Sequence, residues 1–332
     1  MRALVLTRYK HPLVERDVPE PIVGDHDVLI RVEAAGLNVL DEKIRLGEFT
    51  QILPYTLPRT LGHDVAGTVL AVGSAVRSFA PGDEVWSRPP TDQIGTFAER
   101  IAVPESDVAP KPAGISMAEA GSLPLVALTA WQALVERGGL QAGQTVLIHA
   151  GAGGVGTIAV QLAKHLGATV VTTASARNAD FLRELGADVV IDYHTDDLDT
   201  LSGVDLVLDS VGGETLETSL RVLKRGGKAI GITGPPDPAF ASDTGLNIVV
   251  RTAIAVISRK IRRQAAKADV SYEFLFMHAD GGQLREIAAL IENGALRPVV
   301  GRTITFDEIP EALSTMSAGG NRGKIVATLP VT

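Results

Sequence analysis

The sequence predicts an α/β protein with two domains, one rich in β-strands and one in which strands and helices alternate. Residues 1 to about 120 contain short β-type segments separated by Gly and Pro, a pattern typical of a compact barrel or sandwich. From Thr145 onward, apolar runs of strand length alternate with helical patterns, which favours a parallel sheet covered by helices. The 332 residues also exceed the usual size of one hydrophobic core, so two domains are expected.

Hydrophobic alternation and turn residues mark the elements of the β-rich part. The predicted strands are residues 2–7, 27–35, 64–72, a strand entered from the turn 81–85, and 95–103. Residues 38–46 form the predicted helix of this part. A capped helix start at Ser116 and a break at Pro124 then lead into a long helix that ends at Gly138.

The alternating part contains six predicted strands joined by helices. The strands are 145–150, 169–173, one ending at Tyr193, 204–212, 227–234 and 270–277, and the helices are 155–166, 214–223, 246–268 and 282–293, with a polar loop at 235–243. The tail returns to strand character at 297–306, adds a helix at 307–316 and finishes with GKIVATL. We therefore predict one domain of residues 124–296 inserted between 1–123 and 297–332.

A glycine cluster joins the first strand and helix of the alternating part. Gly151, Gly153 and Gly156 occupy the positions of the pattern G-x-G-x-x-G, and Gly154 and Val155 complete the turn. The first glycine permits a tight turn, the second lets the backbone approach a pyrophosphate, and the third lets the helix pack closely on the strand. Because strand, turn, helix and next strand follow in register, the pattern predicts dinucleotide binding in a doubly wound Rossmann sheet of six parallel strands. A glycine-rich connection without a ligand is the alternative.

Composition excludes several classes of partner. The net charge is −8 and aromatic residues make up 4%, which argues against a nucleic-acid surface. The most apolar stretch, 246–258, is too short to span a bilayer and carries Arg251, and the first ten residues run into charge, unlike a secretory signal. We therefore predict a soluble cytoplasmic protein without a membrane partner. Cysteine is absent, so a disulfide, a thiolate nucleophile and a cysteine-ligated zinc are excluded.

The order of elements and several motifs resemble the medium-chain dehydrogenase/reductase superfamily, over essentially the whole chain. The matching stretches are AAGLNVLDEKIRLG, LGHDVAGTVLAVG, GTFAERIAVP, SLPLVALTAWQAL, HAGAGGVGTIAVQLAKHLGA, DSVGG and the late GKIV. The resemblance implies that the outer segments form a GroES-like catalytic domain and that 124–296 forms the Rossmann domain. The subgroup it suggests is the zinc-independent branch of NADPH:quinone oxidoreductases and enone reductases, many of which dimerise by pairing their sixth strands, here 270–276.

His63 leaves an alternative open. The phrase Gly62-His63-Asp64 also resembles the metal-binding stretch of zinc alcohol dehydrogenases, which supply a cysteine after their first long strand. Here the corresponding residues are Gly36, Leu37 and Asn38. A hydrogen-bonded turn histidine is therefore favoured over a zinc ligand, and no metal site is predicted.

The end of the second strand of the alternating part bears on which nicotinamide cofactor is used. NAD-preferring sites place an acid about 20 residues past the glycine motif, whereas Ser175 and Arg177 stand here and no acid occurs before Asp180. A hydroxyl and a guanidinium suit a 2′-phosphate, and the resemblance adds Tyr193 beside the same phosphate. NADPH is therefore the predicted cofactor; the alternative for Arg177 is a solvated surface charge.

The resemblance also implies the residues around the reacting groups. A conjugated acceptor delocalises the charge left by hydride addition, so positioning and water exclusion suffice without a strong acid. The implied catalytic residues are Asn38, Asp41 and Tyr55, and the implied cofactor contacts are Asn38, Thr129, Phe276, Met277 and Lys324. The alternatives are a helix cap for Asn38, a structural role for Asp41 and core packing for Phe276 and Met277. A small-molecule quinone or α,β-unsaturated carbonyl is the predicted substrate. The alternatives are a zinc-dependent alcohol dehydrogenase and a cofactor-binding protein with little catalysis.

Overall fold

The computed structural model describes residues 1–316 and 320–329 and divides into two compact units. Unit 1 contains Met1–Leu128 and His278–Thr332, and unit 2 contains Thr129–Met277. Unit 1 is built mainly from antiparallel strands, and unit 2 is a parallel sheet with helices between its strands. The predicted fold class is confirmed.

The strands follow the β-type segments of the sequence. Within the described ranges they are β1 (Arg2–Leu6), β2 (Val14–Asp17), β3 (Asp27–Gly36), β4 (Arg59–Thr60), β5 (Val65–Val72), β6 (Glu84–Ser87), β7 (Arg100–Pro104), β8 (Val108–Pro110), β9 (Thr145–Ile148), β10 (Thr169–Ala174), β11 (Val189–Asp192), β12 (Val204–Asp209), β13 (Leu223–Gly231), β14 (Ser271–Phe274), β15 (Val300–Thr305) and β16 (Lys324–Thr328).

The α-helices lie mainly in unit 2. Over the same ranges they are α1 (Val39–Leu46), α2 (Met117–Gly121), α3 (Pro124–Trp131), α4 (Gly154–His165), α5 (Ala179–Glu184), α6 (Gly213–Val222), α7 (Pro238–Asp243), α8 (Ile248–Ile257), α9 (Arg259–Lys267), α10 (Gly281–Glu292) and α11 (Ile309–Met316). The long helix predicted to end at Gly138 continues beyond α3 as a π-helical segment, Gln132–Arg137.

Unit 1 is organised around β3, whose buried and partly exposed residues alternate along the strand. Val28, Ile30 and Val32 are at most 2% exposed and point into one core, as the period of a half-buried strand requires. β3 pairs with β5, β7 and β16, all antiparallel. The described residues form a seven-stranded sheet in this unit, together with a three-stranded sheet in the order β2-β1-β4.

Unit 2, whose residues are all described, contains a six-stranded sheet in the order β11-β10-β9-β12-β13-β14. Every pair in it is parallel. The chain passes from β9 outward in one direction, then returns to β12 and continues in the other direction. The carboxyl ends of β9 and β12 are therefore the place where ligands bind in doubly wound sheets.

The predicted helix 246–268 is wrong as a single helix, because α8 ends at Ile257 and α9 begins at Arg259. Ser258 between them is fully buried, and its hydroxyl donates to the carbonyl of Ile254 at 2.8 Å. A serine that bonds back to residue i−4 bends a helix.

The predicted loop 235–243 contains helix α7. Asp237 caps this helix by accepting the N–H of Phe240 at 2.8 Å, and Pro238 occupies its first turn. The other oxygen of Asp237 accepts the N–H of Phe274 at 2.9 Å and so ties α7 to β14. The sequence contains the capping pattern, an Asp followed by a Pro, but the neighbouring Pro and Gly residues favoured the prediction of a loop.

Strand ends also differ from the prediction. β14 ends at Phe274, so Phe276 and Met277 follow the strand, and β11 ends one residue before Tyr193. β7 begins at Arg100, five residues later than predicted.

Unit 2 ends at Met277, whereas the predicted domain boundary is at residue 296. The difference arises because α10 packs on β8 and therefore belongs to unit 1. Gly281 at its start lies so close to the carbonyls of Ser106 and Val108 that a Cβ would be 2.5 Å from each. The guanidinium of Arg285 donates to the carbonyl of Val108 at 3.2 Å.

Candidate functional site

Two of the motif glycines close the turn between β9 and α4. A Cβ on Gly151 would lie 2.1 Å from the hydroxyl of Thr172, and a Cβ on Gly156 would lie 2.4 Å from the carbonyl of Ala150. Neither position has room for a side chain. The strand and helix can therefore approach each other only with glycine at both places.

The remaining motif residues form the start of α4. Gly153 is the residue before the helix, with φ of −78°, and Gly154 and Val155 are its first two residues. A Cβ on Gly153 would lie 3.3 Å from its nearest atom, the carbonyl oxygen of Ala150, which is a tight contact but much less crowded than at Gly151 and Gly156. The backbone N–H groups of a first helical turn and the helix dipole favour an anion such as a pyrophosphate.

The residues predicted to select the cofactor lie near the carboxyl ends of β10 and β11. The N–H of Tyr193 donates to the carbonyl of Ala174 at 3.4 Å, which brings Tyr193 beside the strand end that Ser175 follows. The hydroxyl of Ser175 accepts the side-chain amide of Asn178 at 3.2 Å. Arg177 is exposed, and Tyr193 is 60% exposed. The three residues thus lie at one edge of unit 2.

Three further predicted contacts in unit 2 are largely enclosed. Thr129 in α3 and Met277 after β14 are buried. Phe276 is half-buried, and its ring centroid lies 5.7 Å from that of Phe240. Their roles in holding a cofactor stay predictions.

Unit 1 contains a buried polar cluster that we define by Asn38, Asp41, His63, Asp64 and Lys324. The ammonium of Lys324 donates to the carbonyl of Leu37 at 2.8 Å, to Oδ1 of Asn38 at 2.5 Å and to Oδ2 of Asp64 at 3.1 Å. The amide nitrogen of Asn38 donates to the same carboxylate oxygen at 2.9 Å. The Asn38 side chain is therefore held from both ends.

The second carboxylate oxygen of Asp64 also accepts a hydrogen bond. Oδ1 of Asp64 accepts the N–H of Leu125 in the first turn of α3 at 2.6 Å, where the helix dipole favours a negative charge. The carboxylate thus links β5, α3 and β16. The role of Asp64 was not predicted, although it is part of the Gly62-His63-Asp64 phrase.

Asp41 and His63 form the other half of the buried polar cluster. Oδ2 of Asp41 accepts the backbone N–H of Asn38 at 3.0 Å at the start of α1, and Oδ1 lies 2.6 Å from Nδ1 of His63. Both side chains are fully buried. Within the described ranges Nε2 of His63 has no hydrogen-bond partner. Asp41 thus orients the ring of His63, which lies in an irregular segment just before β5.

The hydroxyl of Tyr55 donates to the backbone carbonyl of Thr91 at 2.7 Å. Burial raises the pKa of Tyr55 to about 12, although the positive charges of Arg88 and Arg59 oppose the shift. The guanidinium of Arg59 lies 5.4 Å from the ring centroid. The phenol is neutral at ordinary pH and ties its loop to the residues after β6.

We expect Tyr55→Phe to lower kcat by less than about tenfold, because the hydroxyl already serves the carbonyl of Thr91. The lost hydrogen bond should lower the free energy of unfolding by about 1 kcal/mol. Steady-state kinetics and thermal unfolding of the same preparations measure both effects. A fall in kcat of about 10²-fold or more at unchanged stability would instead assign proton donation to this hydroxyl.

Arg88 was not predicted, and no sequence motif pointed to it. The residue follows β6 directly and is 1% exposed. Its Nη1 donates to the hydroxyl of Thr91 at 3.1 Å, whereas Nε and Nη2 have no partner among the described residues. Burial lowers the pKa of the guanidinium, and the charges of Asp64 and Asp41 work against that shift. The unpaired N–H groups are donors suited to an ordered water or to an oxygen of a ligand.

Within residues 1–316 and 320–329, no group of three or more His, Cys, Asp or Glu side chains is arranged to hold a metal ion. In the same ranges, none of the helices combines the length and apolar character that crossing a bilayer requires.

Comparison with known proteins gives a consistent result. The family described as alcohol dehydrogenase GroES-like domain matches residues 24–113, and the family described as zinc-binding dehydrogenase matches residues 185–326. The mitochondrial NAD(P)H oxidoreductase RTN4IP1 of Mus musculus is 36% identical over 92% of this chain and 82% of its own length. The chloroplastic NADPH-dependent alkenal/one oxidoreductase of Arabidopsis thaliana is 34% identical over 94% of this chain and 75% of its own.

A solved structure extends the similarity to the whole fold. The quinone oxidoreductase from Coxiella burnetii superposes with a TM-score of 0.85 and 32% identity, covering 100% of this chain and 99% of its own. The family predicted from the motifs is thereby confirmed. The chain belongs to the medium-chain dehydrogenase/reductase superfamily.

Proposed function

We propose that this protein is an oxidoreductase that transfers a hydride from NADPH to a quinone or an α,β-unsaturated carbonyl compound. The glycine turn of unit 2 carries the proposal, because Gly151 and Gly156 have no room for a side chain, while Gly153 at the start of α4 is the least crowded of the three. That arrangement fits a dinucleotide pyrophosphate. The names of the similar mouse, Arabidopsis and Coxiella proteins support a nicotinamide cofactor and a conjugated or quinone acceptor.

Bound NADPH supplies the hydride, and the residues of unit 1 hold the reacting groups. We assign Asn38 to the nicotinamide ribose and substrate, since Lys324 and Asp64 fix both ends of its amide. Asp41 acts through Asn38 and His63, whose positions its carboxylate sets. Lys324 contributes to the site through the same network, and Tyr55 holds the loop 47–58 at the substrate side. Positioning of this kind is sufficient for hydride addition to a conjugated acceptor.

Ser175, Arg177 and Tyr193 are the proposed contacts of the 2′-phosphate. A planar guanidinium binds a phosphate through two parallel hydrogen bonds, which a ribose hydroxyl cannot match. The carboxamide end of the cofactor is assigned to Thr129, Phe276 and Met277.

We expect Arg177→Ala to raise the apparent Kd for NADPH at least about tenfold and to leave that for NADH nearly unchanged, because a charge-assisted bond contributes about 1.5–3 kcal/mol. Quenching of protein fluorescence during titration with each cofactor measures the two constants. The exposed Arg183 on α5, which pairs with Asp180, provides a matched control as Arg183→Ala. Equal changes for both cofactors would contradict the assignment.

The substrate class is tested by NADPH oxidation with quinones, 2-alkenals, cyclic enones and enoyl thioesters, with NADH as the control. Turnover of one of these classes is the expected result. Alcohol oxidation that is lost on chelation and restored by Zn²⁺ would favour a zinc-dependent alcohol dehydrogenase. Tight NADPH binding without turnover of any acceptor would favour a cofactor-binding protein.

Two further sequence predictions are kept as proposals. We propose a homodimer formed through the edge strand β14 and a cytoplasmic location. β14 pairs with β13 on one side and ends the sheet order of unit 2, which leaves an edge for a second copy. Sedimentation velocity over a range of protein concentrations tests the dimer, and fractionation of the source cells tests the location.

A further inference from the structure

Arg88 carries a buried positive charge for which no carboxylate among the described residues is a hydrogen-bond partner. Its Nη1 donates to the carbonyl of Pro89 at 2.9 Å and to the hydroxyl of Thr91 at 3.1 Å, and both of these acceptors are neutral. The side chain is almost completely enclosed. A buried guanidinium without a bonded counter-ion is unfavourable for folding, so its presence calls for a functional explanation.

The free donors of Arg88 lie on one edge of its guanidinium. Within residues 1–316 and 320–329, Nε and Nη2 have no hydrogen-bond partner, whereas Nη1 has two. The N–H groups of Nε and Nη2 are parallel, which is the geometry that holds oxygen atoms of a ligand through two hydrogen bonds. Because a guanidinium only donates, the partner that this edge lacks must supply acceptor oxygens.

The register of the sheet brings Arg88 beside the residues proposed to hold the acceptor. Ser87 at the end of β6 pairs with Val65 at the start of β5, so Arg88 and Asp64 are the next residues of two adjacent strands. The negative charge of Asp64 acts on the guanidinium, which means that the two groups are near each other. Oδ2 of Asp64 also accepts the amide of Asn38, which we assign to the substrate.

Tyr55 on the loop 47–58 is the other neighbour of Arg88. Its hydroxyl donates to the carbonyl of Thr91 at 2.7 Å, and the hydroxyl of the same Thr91 accepts Nη1 of Arg88. The guanidinium of Arg59 lies 5.4 Å from the Tyr55 ring centroid, and its Nε has no partner in the described part of the chain either. Donors that lack acceptors therefore collect around Tyr55. Because Arg88 is enclosed, an acceptor reaches it only by displacing neighbours such as this phenol.

The proposed reaction creates the kind of oxygen that these donors lack. Hydride addition to the β-carbon of an enone breaks the C=C π bond and leaves an electron pair on the carbonyl oxygen of the resulting enolate, with oxidation of NADPH to NADP⁺. A proton from water then reaches the α-carbon and completes the saturated carbonyl product. A fixed guanidinium interacts more strongly with the anionic oxygen than with the neutral carbonyl, so it lowers the barrier to hydride transfer.

We propose that Arg88 binds the acceptor oxygen that gains the negative charge, through its Nε–H and Nη2–H groups. Arg88 is then a catalytic residue in addition to those predicted from the sequence, and this assignment rests on the proposed function. Asn38 and Tyr55 keep the positioning roles given above.

The variant Arg88→Met tests the assignment through the choice of acceptor. The oxygen of an alkenal enolate is a stronger base than that of a hydroquinone anion, so it gains more from a charged donor. We expect kcat/KM with 2-hexenal to fall at least about a hundredfold, and with 1,4-benzoquinone by no more than about tenfold. The Kd for NADPH, measured by fluorescence quenching, should not change. A merely structural role of Arg88 would lower both kcat/KM values by the same factor, which would overturn the proposal.

Binding of 4-nitrophenolate in the presence of NADP⁺ supplies a measurement that needs no turnover. The phenolate oxygen resembles the anionic oxygen of the product, and its visible absorption band shifts when it accepts hydrogen bonds. We expect saturable binding to the native chain and at least about tenfold weaker binding to Arg88→Met. Absence of binding, or equal binding to both chains, would overturn the proposal. Arg88-dependent binding without turnover of either acceptor would support the anion site and contradict the proposed function alone.

Two further variants exclude indirect effects. Arg100→Met removes an arginine of unit 1 that pairs with Glu20 on β7 and should leave both measurements unchanged. Arg88→Lys keeps the positive charge but not the parallel N–H groups, so its loss with 2-hexenal should be smaller than that of Arg88→Met, about tenfold. Circular dichroism and thermal unfolding verify that each variant is folded, and Arg88→Lys carries the test if Arg88→Met does not fold. Full activity of Arg88→Lys with both acceptors and unchanged 4-nitrophenolate binding would contradict the two-donor contact.

Discussion

Gly153→Ala should weaken NADPH binding by about a hundredfold while lowering the free energy of unfolding by only about 1 kcal/mol or less. The residue has φ of −78°, which alanine adopts freely, and a Cβ would press on only one atom, the carbonyl oxygen of Ala150 at 3.3 Å, which needs to shift by a few tenths of an ångström. The added methyl group would instead occupy the space through which a pyrophosphate reaches the first turn of α4. Loss of one or two hydrogen bonds to a charged group, each contributing about 1.5–3 kcal/mol, gives that reduction in affinity.

Gly156→Ala provides the contrasting variant. Its Cβ would lie 2.4 Å from the carbonyl oxygen of Ala150 and 2.6 Å from Cα of Gly151, and backbone atoms cannot move aside cheaply. This variant should therefore lose about 1–3 kcal/mol of stability as well as cofactor affinity. Titration calorimetry and chemical denaturation of both variants separate the two effects. If Gly153→Ala binds NADPH like the native chain, the pyrophosphate does not lie on this turn.

The glycine turn could be predicted because its determinants are local. Gly151, Gly153 and Gly156 stand within one turn between an apolar strand and an amphipathic helix, and each has its role within that segment. The parallel sheet could also be predicted, because a chain in which strands and helices alternate can adopt only a few topologies. Asn38, Asp41 and Lys324 were named through family motifs that are also short and local.

The contacts among those residues could not be predicted. Lys324 and Asn38 are 286 positions apart, and nothing in either local sequence indicates that they share a hydrogen bond. Arg88 lies in a segment without a motif, and its burial depends on the packing of unit 1. The break at Ser258 arises from a hydroxyl that turns back to the helix only once that residue is buried. Tertiary burial, not local propensity, decides each of these cases.

Lys324→Met should lower the free energy of unfolding by about 3–5 kcal/mol, the cost of leaving a buried charge without its partner. The ammonium side chain is 7% exposed and the carboxylate of Asp64 is fully buried. Removing the cation leaves Asp64 with the amide of Asn38 and the N–H of Leu125 as its hydrogen-bond donors. Because the amide of Asn38 also loses its contact to Lys324, we expect kcat with any accepted substrate to fall along with stability. Urea denaturation and steady-state kinetics measure the two effects.

The double variant Lys324→Met, Asp64→Asn identifies the cause. It removes both charges of the pair, so it should be more stable than the sum of the two single changes predicts by at least about 1 kcal/mol. Its kcat should stay low, because Oδ1 of Asn38 still lacks the ammonium that fixes it. Strict additivity in stability would mean that Lys324 and Asp64 act separately, in which case the buried polar cluster is not one unit. Recovery of kcat in the double variant would mean that Lys324 supports turnover by compensating the charge of Asp64, not by orienting Asn38.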